Sequence, residues 1–352
     1  MPQTSVPGPL TTRLAHTLQQ AWLERGTLAV LLLPLAFVFG ALGWLRGALY
    51  RRGMLSRQRL PVPVVVVGNL IVGGAGKTPV VLELVRLLRR RGYTPGVLSR
   101  GYGRRGGSEV LAVDAATPAA ACGDEPKLLS LRSGAPVVVD RDRPAAGRAL
   151  LQAHSGVDVI VSDDGLQHLA LERDVQVIVF DARGIGNGWL LPAGPLREPF
   201  APQAPARSLV VYNAAAASTP WPGHCMDARL SGVAELGAWW RGEAVTPQTL
   251  AALRGRPLTA AAGIANPQRF FDMLREHDLE FTPLPLPDHW PYATLPWAAH
   301  MGDVIVTEKD AVKLDPARLG ATRVWVAALD LALGAPFEAE LLALLPAPRA
   351  RR

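Results

Sequence analysis

Six consecutive residues, Gly73-Gly74-Ala75-Gly76-Lys77-Thr78, place a string of backbone N–H groups ahead of an ammonium and a hydroxyl. Those are the parts that hold the phosphates of a nucleotide and its divalent cation. In this reading Gly73, Gly74, Ala75 and Gly76 cradle the phosphates, Lys77 reaches the β and γ oxygens, and Thr78 ligates Mg²⁺, so the cofactors are ATP and Mg²⁺. The strict G-x-x-x-x-G-K-[ST] pattern fails at Ile71, where it requires glycine, and Val72–Thr78 matches the GGxGKT variant of the loop. The flanks fit that variant. Val62–Val67 is a β-branched run suited to a strand buried on both faces, and Val81, Leu84, Val85 and Leu88 recur at helical spacing over Val80–Arg91. Strand, glycine-rich loop and helix in that order aim free N–H groups at an anion.

Carboxylates supply the second part of the chemistry. Val157–Val161 reads as another buried strand, and it runs into Asp163 and Asp164. An acid at a strand end beside a phosphate loop holds Mg²⁺; the competing reading is that the pair begins a turn at Gly165. Asp124 and Glu125 open a helix through Leu131. Either they cap it, or in a kinase one of them positions a substrate hydroxyl and accepts its proton. Tyr102 in Ser99–Gly103, and Gln167 and His168 just beyond the acidic pair, are candidate contacts to nucleotide or substrate. Arg141 and Arg143 follow the strand Pro136–Asp140 and are placed to bind a phosphate or simply to face water.

Strand-like segments at 62–67, 94–98, 136–139, 157–161 and 175–180 alternate with helical ones. This pattern predicts an α/β fold, a mostly parallel sheet with helices on both faces. We expect a nucleotide-binding domain over 61–185 and a smaller α/β domain over 186–352 that closes over the site, with a helix at 267–277 and strands near 303–306 and 323–328. Residues 1–60 form an N-terminal appendage. Gly26–Leu45 carries no charge and is close to the length of a spanning helix. Arg46, Arg51, Arg52, Arg57 and Arg59 follow it, where anionic headgroups attract basic side chains. A spanning helix and one lying in the interface both fit. The net charge of +7 suits an anionic membrane surface, a phosphorylated ligand or nucleic acid. Nucleic acid is disfavoured, because the arginine block flanks an apolar helix and has no interleaved aromatic residues for base stacking. Only Cys122 and Cys225 are present, with no metal-ligand spacing, which fits a reducing compartment.

Six segments taken together resemble the tetraacyldisaccharide 4'-kinases of lipid A biosynthesis: Gly68–Pro79, Ser99–Gly103, Gly123–Pro126, Asp163–His168, Leu191–Pro199 and Pro287–Tyr292, joined by Thr307-Glu308-Lys309-Asp310. The resemblance covers about 60 to 315, and the family also has a membrane-proximal N-terminal helix. It implies transfer of the ATP γ-phosphoryl to the 4'-hydroxyl of an acylated glucosamine disaccharide 1-phosphate, giving lipid IVA at the cytoplasmic face of the bacterial inner membrane. It also implies that Lys77 and Thr78 serve phosphates and Mg²⁺, Asp163 and Asp164 the metal, Asp124 the hydroxyl as base, and His289 the support of Asp124. Arg197 and Glu198 are implied as nucleotide-site residues. The rival reading is a P-loop ATPase or GTPase switch of the metallochaperone or positioning type. A GTPase would need an N-K-x-D base-reading motif and a metallochaperone His or Cys clusters, and the sequence has neither.

Overall fold

The computed structural model describes residues 20–104, 109–298 and 301–349; residues 1–19 of the expected appendage lie outside that range. Two sheets organise the molecule. The larger contains β1 (Val64–Gly68), β2 (Pro95–Ser99), β3 (Leu111–Val113), β4 (Val137–Val139), β5 (Val159–Ser162), β6 (Val175–Asp181), β7 (Ser208–Asn213) and β8 (His224–Cys225), in the order β3-β4-β2-β5-β1-β6-β7-β8. Every pairing in it is parallel except β3 with β4. The smaller contains β9 (Asp227–Glu235), β10 (Leu258–Ala262), β11 (Phe281–Pro285), β12 (Asp303–Thr307) and β13 (Arg323–Ala332), in the order β11-β10-β12-β13-β9, with only β9 antiparallel to its neighbour.

β1 is buried throughout because Val64, Val66 and Val65, Val67 point to opposite covered faces. On one face lies the core built with the helix that follows the phosphate loop. On the other, Leu60, Leu150, Phe180, Tyr212 and Trp221 pack together. Both faces of the central strand are therefore sealed, and the open end of the sheet is its carboxyl edge, where ligands bind in such folds.

We label the helices that matter here α1 (Thr27–Leu31), α2 (Leu33–Arg51), α3 (Lys77–Arg90), α4 (Asp124–Ser133), α5 (Arg143–Ala153), α6 (Pro267–Arg275), α7 (Glu308–Ala311) and α8 (Ala335–Leu344). The change of sheet falls between Cys225 and Asp227, not at the expected 185/186. The Gly- and Pro-rich stretch after 186 is a long loop that returns to the larger sheet and supplies β7 and β8. The chain also comes back at its end, since Phe337 and Leu341 of α8 join the core beneath α3. The two lobes are clasped by Arg86 to Asp330 (2.9 Å), Arg132 to Asp330 (3.1 Å) and the ion pair Arg132–Glu308.

Candidate active site

The loop after β1 is shaped by a side chain that the sequence motifs did not single out. Asn69 is fully buried, donates through Nδ2 to the carbonyls of Ile71 (2.7 Å) and Gly73 (3.2 Å), and accepts at Oδ1 from Lys77 Nζ (3.1 Å). One amide thus folds the loop and aims the lysine. Ile71 stands where the strict motif has glycine because this position faces inward: its side chain is buried in the core and its backbone bridges Leu196. Gly73 and Gly76 have φ of 103° and 83°, a region that side chains disfavour. A Cβ on Gly74 would come within 3.3 Å of the Ala265 methyl, so the loop after β10 in the smaller lobe lies over the phosphate loop. α3 begins at Lys77, ahead of the expected Val80, since Pro79 falls in the first turn where its missing N–H costs nothing. Thr78 is in that same turn.

β5 lies directly beside β1, with Val66 opposite Ser162, so Asp163 and Asp164 emerge next to the phosphate loop. Asp164 Oδ1 is 3.4 Å from Lys77 Nζ and 3.0 Å from an Arg197 guanidinium nitrogen. Burial opposes its ionisation, but Lys77 and Arg197 hold the carboxyl below its ordinary value. Arg197 also donates to Gln167 Oε1 (3.0 Å), and Gln167 Nε2 donates to Glu198 Oε1 (3.2 Å) and Asn69 O (3.3 Å). Lys77, Asn69, Asp164, Gln167, Arg197 and Glu198 therefore form one network, although they come from three separate stretches of chain. Burial pushes the Glu198 carboxyl up.

Asp163 faces the other way, into the protein. It is 1% exposed, its Oδ2 accepts from Ser99 Oγ (3.3 Å), and its Oδ1 has no hydrogen-bond partner. Burial, then Glu125 and Asp164, push it up to about 7. A buried acid with an unpaired oxygen needs a cation. Among the described residues no group of three or more His, Cys, Asp or Glu side chains could cage a metal. Mg²⁺ takes one or two carboxylates and fills its remaining positions with water and phosphate oxygens. The unpartnered oxygen of Asp163, with Asp164 next in sequence, is a donor of the kind such an ion takes.

The charge on Asp163 has a measurable consequence. An acid raised in the folded state stabilises the fold while protonated and loses that contribution as pH climbs through its folded value, so ionised Asp163 destabilises above about 7. Asp163→Asn is expected to raise Tm by a few degrees at about pH 8 in Mg²⁺-free buffer, and by less at about pH 6. Thermal melts at the two pH values check it, and an equal change at both would dismiss the buried charge as the cause.

The second lobe brings the remaining candidate. His289 Nδ1 lies 3.0 Å from Asp124 Oδ2, so two residues 165 positions apart meet across the lobes. Asp124 and Glu125 occupy the first turn of α4. His289 sits in the left-handed region, φ 59°, and its N–H donates to Gly263 O (3.2 Å) and Asp288 Oδ1 (3.0 Å). Gly263 N–H in turn donates to Asp310 Oδ2 (3.0 Å), which also accepts from the hydroxyl of Thr307, the N-cap of α7. Gly263, which holds His289, and Ala265, which lies over Gly74, belong to the same loop after β10, so the Asp124–His289 pair lies near the phosphate loop.

Other candidates fall into place around this centre or away from it. Tyr102 is exposed, its ring 5.5 Å from that of His289. Glu125 is 3.4 Å from Lys309, which the motif reading carried without a role. Arg141 is exposed. Arg143, placed by the sequence where it could bind a phosphate, is instead buried: its guanidinium donates to the carbonyls of Asp140 and Asp163, both at 2.8 Å, and burial pulls it down to about 10. It props the acidic loop from behind. His168 is drawn down to about 4, by burial first and then Arg143, and its Nε2 has no partner. It lies outside the Lys77–Arg197 network.

Known proteins share this sequence pattern and fold. Residues 28–346 match the sequence pattern of the family described as Tetraacyldisaccharide-1-P 4'-kinase (LpxK). The chain is 54% identical over 341 residues to the tetraacyldisaccharide 4'-kinase of Leptothrix cholodnii, covering 96% of this chain and 98% of that protein. It is 54% identical over 338 residues to that of Methylibium petroleiphilum, covering 95% and 94%. Among solved structures, LpxK from Aquifex aeolicus in complex with ATP superposes with a TM-score of 0.74 at 26% identity, over 91% of this chain and 100% of that one. With a phosphate loop, paired strand-end acids and a cross-lobe Asp–His pair inside a family match that spans nearly the whole sequence, the chain belongs to the tetraacyldisaccharide-1-P 4'-kinase family.

Proposed function

We propose that this chain transfers the γ-phosphoryl group of ATP to the 4'-hydroxyl of a tetraacylated glucosamine disaccharide 1-phosphate, forming lipid IVA at the cytoplasmic face of the inner membrane. The observation that carries the reading is the 3.0 Å contact between Asp124 and His289 beside a phosphate loop. A hydrolytic switch needs no such pair, whereas a phosphotransferase to an alcohol needs a group that orients the hydroxyl and takes its proton.

The exposed N–H groups of Gly73 and Gly74 and the start of α3 hold the triphosphate, and Lys77 neutralises charge on its β and γ oxygens. Mg²⁺, when bound by Thr78, Asp163 and Asp164, supplies further charge neutralisation on the phosphates. Arg197 restrains Asp164, and Gln167 ties Arg197 to Glu198. The hydroxyl O–H bond breaks with its proton passing to Asp124, the oxygen bonds to the γ phosphorus, and the bond from that phosphorus to the β–γ bridging oxygen breaks with its electrons leaving on ADP. The smaller lobe, lying over the phosphate loop at Ala265, helps exclude water.

The N-terminal helices give the substrate its location. α2 is the one described helix long and apolar enough to cross a membrane, and the few points at which it is covered are small residues. Ala36 and Ala48 are buried, and a Cβ on Gly40 would strike Leu190. Leu35, Phe37, Val38, Leu42, Trp44 and Leu45 remain exposed. A helix that touches the domain at Leu190 and turns its large apolar side chains outward suits membrane attachment, either lying in the interface or crossing it. Arg59 does not join the headgroup cluster, since it pairs with Glu172 and Asp174; Arg46, Arg51, Arg52 and Arg57 are left to meet anionic lipid. Leu42→Glu is expected to weaken partitioning onto anionic vesicles by about tenfold or more, from lost apolar burial plus an added like charge. Vesicle sedimentation measures it, and unchanged partitioning would remove this face from the membrane.

The test of the reaction is incubation of detergent-purified protein with labelled ATP, Mg²⁺ and tetraacyldisaccharide 1-phosphate, followed by thin-layer separation. Mg²⁺-dependent label in the lipid is the expected result. Label found only as free phosphate would favour the ATPase switch.

A further inference from the structure

His289 has two ring nitrogens, and only Nδ1 is accounted for by Asp124. Its Nε2 lies 3.3 Å from Lys309 Nζ, at the start of α7 in the smaller lobe. An ammonium has donors and no acceptor, so Nε2 must accept from it. A neutral imidazole with an accepting Nε2 carries its proton on Nδ1, and that proton points at Asp124 Oδ2.

Lys309 is held for this task from several sides. Its Nζ is 3.4 Å from Glu125 Oε1 and 3.4 Å from Asp288 Oδ1, and its side chain is only 20% exposed. Burial by itself would draw the ammonium down, but Glu125, Asp288 and Asp124 together raise it, so it remains a charged donor. A second lysine completes the setting: Lys313 Nζ lies 3.7 Å from Asp124 Oδ2 and 3.3 Å from Asp310 Oδ1. The Tyr102 ring lies 5.5 Å from that of His289, and the Tyr292 ring lies against Lys313.

We propose that Lys309 is a positioning residue for the Asp124–His289 pair: by donating to His289 Nε2 it fixes the tautomer whose Nδ1–H holds Asp124, so that Asp124 and not His289 takes the proton of the substrate hydroxyl. The inference rests on the kinase reading above. It differs from a plain lobe-closing salt bridge, because Arg132–Glu308 and the two pairs at Asp330 still join the lobes when Lys309 is replaced.

The experiment is steady-state kinetics of the full-length, detergent-solubilised enzyme with ATP, Mg²⁺ and the lipid acceptor. Lys309→Met is expected to lower kcat by about tenfold to a hundredfold, the usual range for a group that orients another, with KM for ATP unchanged. Lys309→Arg should retain most of the activity, because it keeps charged donors. In a His289→Ala background the methionine substitution should cost little more, since its partner is already gone. Lys309→Gln, which keeps uncharged N–H donors and a polar side chain, carries the same comparison if the methionine variant does not fold; it should fall between Arg and Met. Full multiplicative loss in the His289→Ala background, or a rise in KM for ATP with kcat intact, would overturn the proposal and leave Lys309 as a structural ion pair. Failure of the parent enzyme to label lipid at all would instead sink the kinase reading, before Lys309 is tested.

Discussion

Lys77→Met is expected to lower kcat/KM by about 10²–10³-fold, with both ATP affinity and turnover reduced. Methionine preserves the aliphatic stem, which is mostly buried, so the variant removes charge without opening a cavity. What disappears is the ammonium that meets Asn69 Oδ1 at 3.1 Å and Asp164 Oδ1 at 3.4 Å. In the resting enzyme these two oxygens hold it at the mouth of the loop; with ATP bound, its remaining donors are available to the β and γ oxygens. Its charge matters more as negative charge shifts toward the β–γ bridge during transfer, so turnover should fall as well as binding. Calorimetric titration with nucleotide and initial rates with the lipid acceptor separate the two effects. A variant with normal turnover and only weaker nucleotide binding would reduce Lys77 to a ground-state contact.

The elements that carry this chemistry were legible because each has its own local signature. β1 reads as a run of valines, the phosphate loop as glycines before Lys77-Thr78, and β5 as an apolar run ending in acids. Period, burial and turn chemistry are short-range properties, and these segments express them within ten residues or so. Asn69 was overlooked for the opposite reason: a single amide after a strand gives no sign that it will hold two carbonyls and a lysine. The lobe boundary was misplaced because Gly- and Pro-rich texture marks loop, and loop does not reveal which sheet the chain rejoins. Arg143 looked like a phosphate ligand since a basic residue at a helix start is ambiguous until its burial is known. The meeting of Asp124 with His289, 165 positions apart, depends on how the lobes pack. No spacing rule reaches that far, and it was the family resemblance that pointed to the pair.

Asp124→Asn should lower kcat by about 10²–10⁴-fold, the range for loss of a positioned general base, while leaving nucleotide affinity close to normal. The asymmetry follows from where Asp124 stands. It opens α4, and its hydrogen bond goes to His289 and not to any residue of the nucleotide network. Asparagine keeps the size and one acceptor oxygen, so His289 Nδ1–H retains a partner and the lobes should close as before. It cannot accept a proton from the hydroxyl. Nucleotide titration against single-turnover rates decides the matter. Lost ATP binding in step with rate would place Asp124 among the phosphate-site residues, whereas a rate close to the parent enzyme's would move the proton to another acceptor, such as His289 or Glu125, the neighbour of Asp124 in the same turn.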